Sequence, residues 1–266
     1  MKRTLIFFGI LCMIFFLLFS SADRRTQFLT SLAGPGMLSL VKQASAKATA
    51  LENFSTDTIA GIPVEESPRI ALTFDDGPNA RYTPILLDGL KKRNIRASFF
   101  LIGENIEGNE DILLQMRKDG HLIGNHTWDH ASLSSLNGSS IQSEIKSTNA
   151  QIRALTGHNA TLVRPPYGAY NSNVQINAGA PLILWSIDTL DWKTRNAKNT
   201  INVVMNEVKD GSIILMHDIH SPSVDAAEVL IPKLIASGYQ LVTVSELAKY
   251  RSVAMYSGGV YNAFYR

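Results

Sequence analysis

From Arg69 onward, seven short β-rich apolar runs recur between stretches with helical periodicity, and most of the runs lack strict apolar–polar alternation. A strand without a polar face is buried on both sides, as the strands of a parallel sheet covered by helices are. The runs span residues 70–74, 97–102, 121–125, 161–164, 182–185, 212–216 and 240–244. Helices are expected at 83–92, 109–118, 139–155 and 224–236; acidic or amide residues open the second, and glycines 120, 157 and 238 close the last three. Strands alternating with helices over about 200 residues make a βα architecture, either a closed barrel or an open doubly wound sheet. No G-x-G-x-x-G follows the first strand, which weakens the dinucleotide-binding sheet. An α/β fold of irregular (β/α) barrel type with about seven parallel strands is therefore expected, because such a barrel draws its active site from many strand ends at once.

With 45% hydrophobic and 18% charged residues, the 266-residue chain can bury a sizeable core. A net charge of +2 offers no clustered basic footprint, so no nucleic-acid partner is expected. The single cysteine, Cys12, excludes a disulfide scaffold and any cysteine-based zinc site. Lys2 and Arg3 precede an apolar run from Leu5 to Phe19, then Ser20, Ser21 and Ala22. Residues 1–22 thus read as a signal peptide or an uncleaved membrane anchor, with everything downstream outside the cell. Residues 23–61, broken by Gly34-Pro35-Gly36, read as a tether, and 62–266 as the folded domain. Membrane contact is expected only through the N-terminal segment, and the protein is expected to be a monomer.

The chemistry-bearing residues follow five of the seven strands. The first strand runs into Asp75-Asp76-Gly77-Pro78, two adjacent carboxylates that repel unless a cation or shared proton relieves them. The third leads into His126-Thr127-Trp128-Asp129-His130, whose i, i+4 imidazoles would lie on one side of a helical turn within reach of one metal ion. Asp75 or Asp76 could supply a third ligand, leaving coordination positions open as a catalytic site requires. Arg164, at the end of the fourth strand, can orient a carboxylate, and the Tyr167 amide is the first free donor after Pro165 and Pro166, a candidate oxyanion contact. Two acids and two tryptophans crowd 185–192, a pattern of sugar stacking or a pocket wall. His217, ending the sixth strand, is a candidate general acid. His121, His158 and His220 read as structural. The aromatic tail 250–266 reads as packing over the barrel, with glycan stacking as the alternative. There is no G-x-S-x-G nucleophile elbow and no P-loop.

On TFDDGP (73–78), HTWDH (126–130), RPPYG (164–168), DTLDW (188–192) and LMHD (215–218), the chain resembles the NodB-homology polysaccharide deacetylases, carbohydrate esterase family 4. The resemblance covers roughly 69–247. It implies an irregular (β/α) barrel and removal of N-acetyl groups from N-acetylglucosamine residues of a cell-envelope polysaccharide, peptidoglycan first. Chitin or poly-N-acetylglucosamine deacetylation, or acetyl-xylan esterase action, is the alternative. It implies one divalent metal, zinc first, with cobalt, nickel or manganese also compatible with a His₂Asp set. By the resemblance Asp75 is the general base, and Asp76, His126 and His130 are the metal ligands. Arg164 holds Asp75, and the Tyr167 amide is the oxyanion donor. Asp191 tunes His217, the general acid, and Trp192 and Leu215 with Tyr167 line the substrate pocket.

Overall fold

The structure, a computed structural model, describes residues 58–59, 62–63 and 66–266. The expected signal or anchor, and the expected tether apart from 58–59, lie outside the described residues. Among the described residues no helix is long and apolar enough to cross a membrane.

Two short strands, β1 (Thr58–Ile59) and β2 (Ile62–Pro63), pair antiparallel. The sheet that follows is parallel. β3 (Arg69–Asp75) is its centre, flanked by β4 (Ser98–Leu101) and β8 (Ile213–His217); β5 (Leu122–Asn125) lies outside β4 and β7 (Ile187–Asp188) outside β8. β9 (Gln240–Leu241) pairs with the first residues of β3. All seven residues of β3 are buried, and its alternation sorts them by cluster. Ile70, Leu72 and Phe74 pack outward with Leu86, Leu90, Leu113, Met116, Leu230 and Leu234 of the covering helices, while Ala71 joins Phe100, Ile183 and Ile213 in a second, inner cluster. Both faces are covered, which is why the strand shows no polar alternation.

The helices are α1 (Thr83–Lys92), α2 (Glu110–Lys118), α3 (Gly138–Thr156), α4 (Ser172–Asn177), α5 (Asp191–Thr194), α6 (Ala197–Glu207), α7 (Ser221–Ala236) and α8 (Val244–Tyr250). The Asn137 side chain caps α3 by accepting from the Ser140 amide, and Gly157, left-handed at φ 81°, ends it. α8 is fixed by a capping box in which the Thr243 and Glu246 side chains each accept from the other's backbone amide. Its Val244 and Leu247 enter the inner cluster, closing the end of the barrel where β3 begins.

Three expected strands differ. Residues 161–164 contribute a single bridging residue, Val163, between Asn125 and Leu182. The run 182–185 shortens to β6 (Leu182–Ile183), beside Val163, and a further strand that was not expected, β7, follows it beside β8, because the chain changes neighbours between them. That change of partner carries the wall from β5 round to β8, so the parallel sheet is barrel-like. The run 240–244 shortens because Thr243 opens a helix. Helices α4, α5, α6 and α8 were not expected from periodicity; asparagines 171 and 196, whose side chains cap α4 and α6, are signals the sequence does contain. Part of the tail packs as expected: β10 (Val260–Tyr261) pairs with β6, Phe264 is buried, and the Phe264 amide donates to the Gly211 carbonyl at 2.8 Å, whereas Tyr256 and Tyr265 are exposed.

Candidate active site

β3 ends on Asp75, its side chain on the same face as Thr73 and Ala71 and therefore toward the barrel interior. The next residue, Asp76, is left-handed at φ 71°, and the Gly77–Pro78 peptide is cis. This corner sends Asp76 over the rim while Asp75 stays inside. Opposite Asp75 in the parallel register of β8 is His217.

Arg164 is fully buried and its guanidinium spans the interior. Nη1 donates to Asp75 Oδ1 and to Thr73 Oγ1, each at 2.7 Å, Nε to the Ile183 carbonyl at 3.1 Å, and Nη2 to the Leu184 carbonyl at 3.0 Å. The Phe100 ring lies 4.1 Å beneath it. One carboxylate oxygen of Asp75 is thus held, and the other, Oδ2, lies 3.7 Å from His126 Nε2.

His126 follows β5, and its Nδ1 donates to the Arg164 carbonyl at 2.7 Å, which leaves the Nε2 lone pair free for a ligand role. Asp76 Oδ1 lies 3.4 Å from His126 Nε2 and 3.3 Å from His130 Nε2. His130 Nδ1 lies 3.2 Å from the Tyr167 hydroxyl. The expected helical turn from His126 to His130 is absent. Thr127 and His130 are instead left-handed, at φ 69° and 65°, and side chains supply the support a helix would have given. Asn125 Oδ1 accepts from the Thr127 amide at 2.9 Å, and Glu144 of α3 accepts from the Trp128 amide at 2.8 Å.

Ligand atoms of Asp76, His126 and His130 all lie within 4.8 Å of one another. Two ligands about 2.1 Å from a tetrahedral centre sit about 3.4 Å apart, close to the two Asp76–imidazole separations. Asp76 Oδ1 is buried and has no hydrogen-bond partner, which a cation would correct. The donor set and its spacing therefore fit a divalent ion. Burial would raise the Asp76 carboxyl, but the nearby His126 imidazole, with the charges of His217 and His130, outweighs it and holds it down at about 2. Burial and the neighbouring His126 push His130 below its ordinary value, keeping its nitrogen available.

Across the rim, Asp191 opens α5, with its Oδ1 2.8 Å from His217 Nδ1 and its Oδ2 accepting from the His217 amide at 2.9 Å. Burial pushes His217 down, but Asp191, with Asp75 and Asp76 beyond it, raises it to about 9. The same contact, working against burial, lowers Asp191. Leu215 is buried two residues before His217 in β8, on the same face. Trp192 is 46% and Tyr167 69% exposed, so both offer aromatic surface to a ligand in solution. A groove of about 540 Å³ leads away from Asp76 and His130 past Ala80, Asn105, Asn109 and Ile219.

Sequence reasoning named the chemical groups at this rim but not their supports. Thr73, Asn125 and Glu144 were missed. Asn125 adjoins the HxxxH segment and could have been suspected, whereas nothing in the sequence links Glu144 to residues 16 positions earlier. Asp218 was passed over as well; its side chain is fully buried, accepts from the Thr83 hydroxyl, and is raised to about 7 by burial.

The family model described as polysaccharide deacetylase matches residues 64–182. The chain is 41% identical over 179 residues to a peptidoglycan-N-acetylglucosamine deacetylase of Listeria monocytogenes, covering 67% of this chain and 38% of that one. It is 44% identical over 178 residues to a peptidoglycan-N-acetylmuramic acid deacetylase of Bacillus subtilis, with the same coverage of 67% and 38%. The chain therefore spans about two fifths of the length of these curated relatives. A family 4 acetyl xylan esterase from Clostridium thermocellum, solved with a cobalt ion, superposes with a TM-score of 0.70 at 32% identity, over 73% of this chain and 98% of that one.

Proposed function

Since the chain belongs to the polysaccharide deacetylase family, we propose that it removes N-acetyl groups from N-acetylglucosamine residues of peptidoglycan. The reading is carried by one observation: a three-ligand cluster, a separately anchored carboxylate and an acid-tuned imidazole share a single rim. In it Asp76, His126 and His130 hold one divalent ion, zinc first, as the presence of cobalt in the Clostridium relative supports for the site class. When bound, such an ion polarises the acetyl carbonyl and lowers the pKa of water.

The remaining work falls to this chain's side chains. Asp75, held at Oδ1 by Arg164, takes a proton from the attacking water at Oδ2. The Tyr167 amide, in the rigid turn after Pro165 and Pro166, donates to the oxygen that gains charge. His217, protonated at neutral pH, gives its proton from Nε2 to the departing amine, which is otherwise a poor leaving group. Asp191 fixes the Nδ1–H tautomer and stabilises the imidazolium. The C–N bond breaks, acetate leaves, and the sugar remains in the glycan with a free amine. Trp192, Leu215 and Tyr167 bound the space around the acetyl group.

The substrate assignment draws on the Listeria and Bacillus relatives, and an extracellular site of action follows from that substrate, with export or anchoring through the N-terminal segment. Acting as a monomer, the protein would need no partner beyond the glycan. A second reading, O-deacetylation of a glycan such as xylan, is favoured by the match to the Clostridium esterase along nearly all of that chain. Acetate release from peptidoglycan, chitin oligomers and acetyl-xylan, compared side by side with assay of the freed amine, tests both. Release from peptidoglycan with stoichiometric amine supports the first reading. Release from acetyl-xylan alone supports the second, and release from none overturns both.

A further inference from the structure

The two loops that bring the ligand set together are tied to a third segment that supplies no ligand, the turn 102–105 after β4. The Ile102 amide donates to the Gly77 carbonyl at 3.1 Å, and Asn105 Nδ2 donates to the Asp76 carbonyl at 2.8 Å. Consecutive carbonyls of the Asp76 corner are therefore both held. The next two amides of the turn reach the other loop: Gly103 donates to the Thr127 carbonyl at 2.9 Å and Glu104 to the Trp128 carbonyl at 3.0 Å, between His126 and His130. One short turn thus spans the gap between the carboxylate and the imidazoles.

Three of these four contacts are made by backbone amides and do not depend on side-chain identity; Asn105 is the exception. The backbone that carries it is held as well, since Asn109 Nδ2 donates to the Asn105 main-chain carbonyl at 2.9 Å. Asp76 needs such support. Its backbone is left-handed, a conformation that costs a residue with a Cβ more than it costs glycine, and its Oδ1 has no hydrogen bond to steady the carboxylate. We propose that Asn105 is a positioning residue of the metal site, holding Asp76 at ligand distance from His126 and His130 through the Asp76 carbonyl. This rests on the reading of those three residues as metal ligands. Because Asn105 also lines the groove beside Asp76 and His130, direct contact with the glycan is the competing role.

The test is calorimetric titration of zinc and cobalt into the metal-free full chain and its Asn105→Ala variant, with the visible spectrum of the cobalt form and KM measured at saturating metal. Supports of metal ligands change affinity by about 10–100-fold when removed. Asn105→Ala is expected to lose at least about tenfold in affinity and to shift the cobalt spectrum, with thermal stability of the metal-free form and KM little changed. Affinity within twofold of wild type overturns the proposal, and a raised KM in that case assigns Asn105 to the glycan. If Asn105→Ala does not fold, Asn105→Leu is read instead; it keeps the bulk and removes the donor, so an affinity loss above twofold supports the proposal and a smaller one overturns it. A wild-type chain that binds no metal overturns the ligand reading itself, an outcome distinct from failure of the Asn105 role alone.

Discussion

His217 carries an imidazole that burial alone would leave neutral; the Asp191 carboxylate reverses that, raising it to about 9. A proton donor is lost as pH rises through its pKa, so the alkaline limb of activity is expected to follow His217. Asp191→Asn removes the charge and is expected to move that limb to lower pH and reduce kcat, measured as a kcat profile with a histidine NMR titration of the metal-free protein alongside. An unmoved limb with activity kept would remove Asp191 from the proposed mechanism. Asp218 works in the opposite chemical sense. Burial raises it to about 7, above the ordinary carboxyl value near 4, so the folded state holds a proton that the unfolded state releases. Its contribution to stability is full below about pH 4 and lost as pH rises through about 7. Asp218→Asn keeps an acceptor for the Thr83 hydroxyl and titrates nothing. It is expected to flatten the fall in stability between pH 4 and 8, by on the order of 1–3 kcal/mol in urea unfolding of the metal-free protein. An equal fall in the variant would place that dependence elsewhere.

At the level of elements, five non-glycine residues near the strand ends have positive φ: Asp76, Thr127, His130, Tyr167 and Leu190. Such corners are where sequence reading runs out. Spacing and residue type made the strand ends and their chemical groups legible, since Asp75, Asp76, His126, His130, Arg164, Asp191 and His217 all stand in the loops or strand termini where they were sought. The path between His126 and His130 was not legible, because a left-handed Thr127 leaves no compositional mark and its supports, Asn125 and Glu144, act across space. The same limit explains Val163: a strand reduced to one bridging residue has β-rich composition but too little ladder to define its length. Gly77 is the corner where a side chain has no room, since a Cβ there would lie 2.7 Å from both Asp218 carboxylate oxygens. Gly77→Ala is expected to displace the Asp76 corner and weaken metal binding by tenfold or more, read by calorimetry, with a fall in Tm of several degrees from the strained contact. Unchanged affinity would mean the corner yields without moving Asp76.

For the whole molecule, the core and the candidate metal site are separable. Asp76, His126 and His130 stand in the loops after β3 and β5, beyond the strand residues whose apolar side chains form the core. Chelation is therefore expected to abolish deacetylation while leaving far-UV circular dichroism unchanged, with activity restored by zinc or cobalt. Loss of helical signal on chelation would mean the ion holds the barrel together. The α/β class and parallel sense were readable because burial of both strand faces leaves its trace in composition, and an irregular barrel was expected because the chemical groups follow many strand ends; the route of closure was not readable, because it rests on a change of partner within 182–188 and on one guanidinium. Arg164 reaches from Thr73 and Asp75 of β3 to the carbonyls of Ile183 and Leu184. That reach has a consequence for how descendants of this sequence can diverge. An insertion or slip in the closing segment would drag the guanidinium, and with it Asp75, so drift in a stretch carrying no catalytic group is filtered as strictly as drift in the carboxylate's own strand. The outer face of α3 bears no such coupling and is free to wander, so lineages of this barrel should differ most on their helices and least along a seam that does no chemistry of its own.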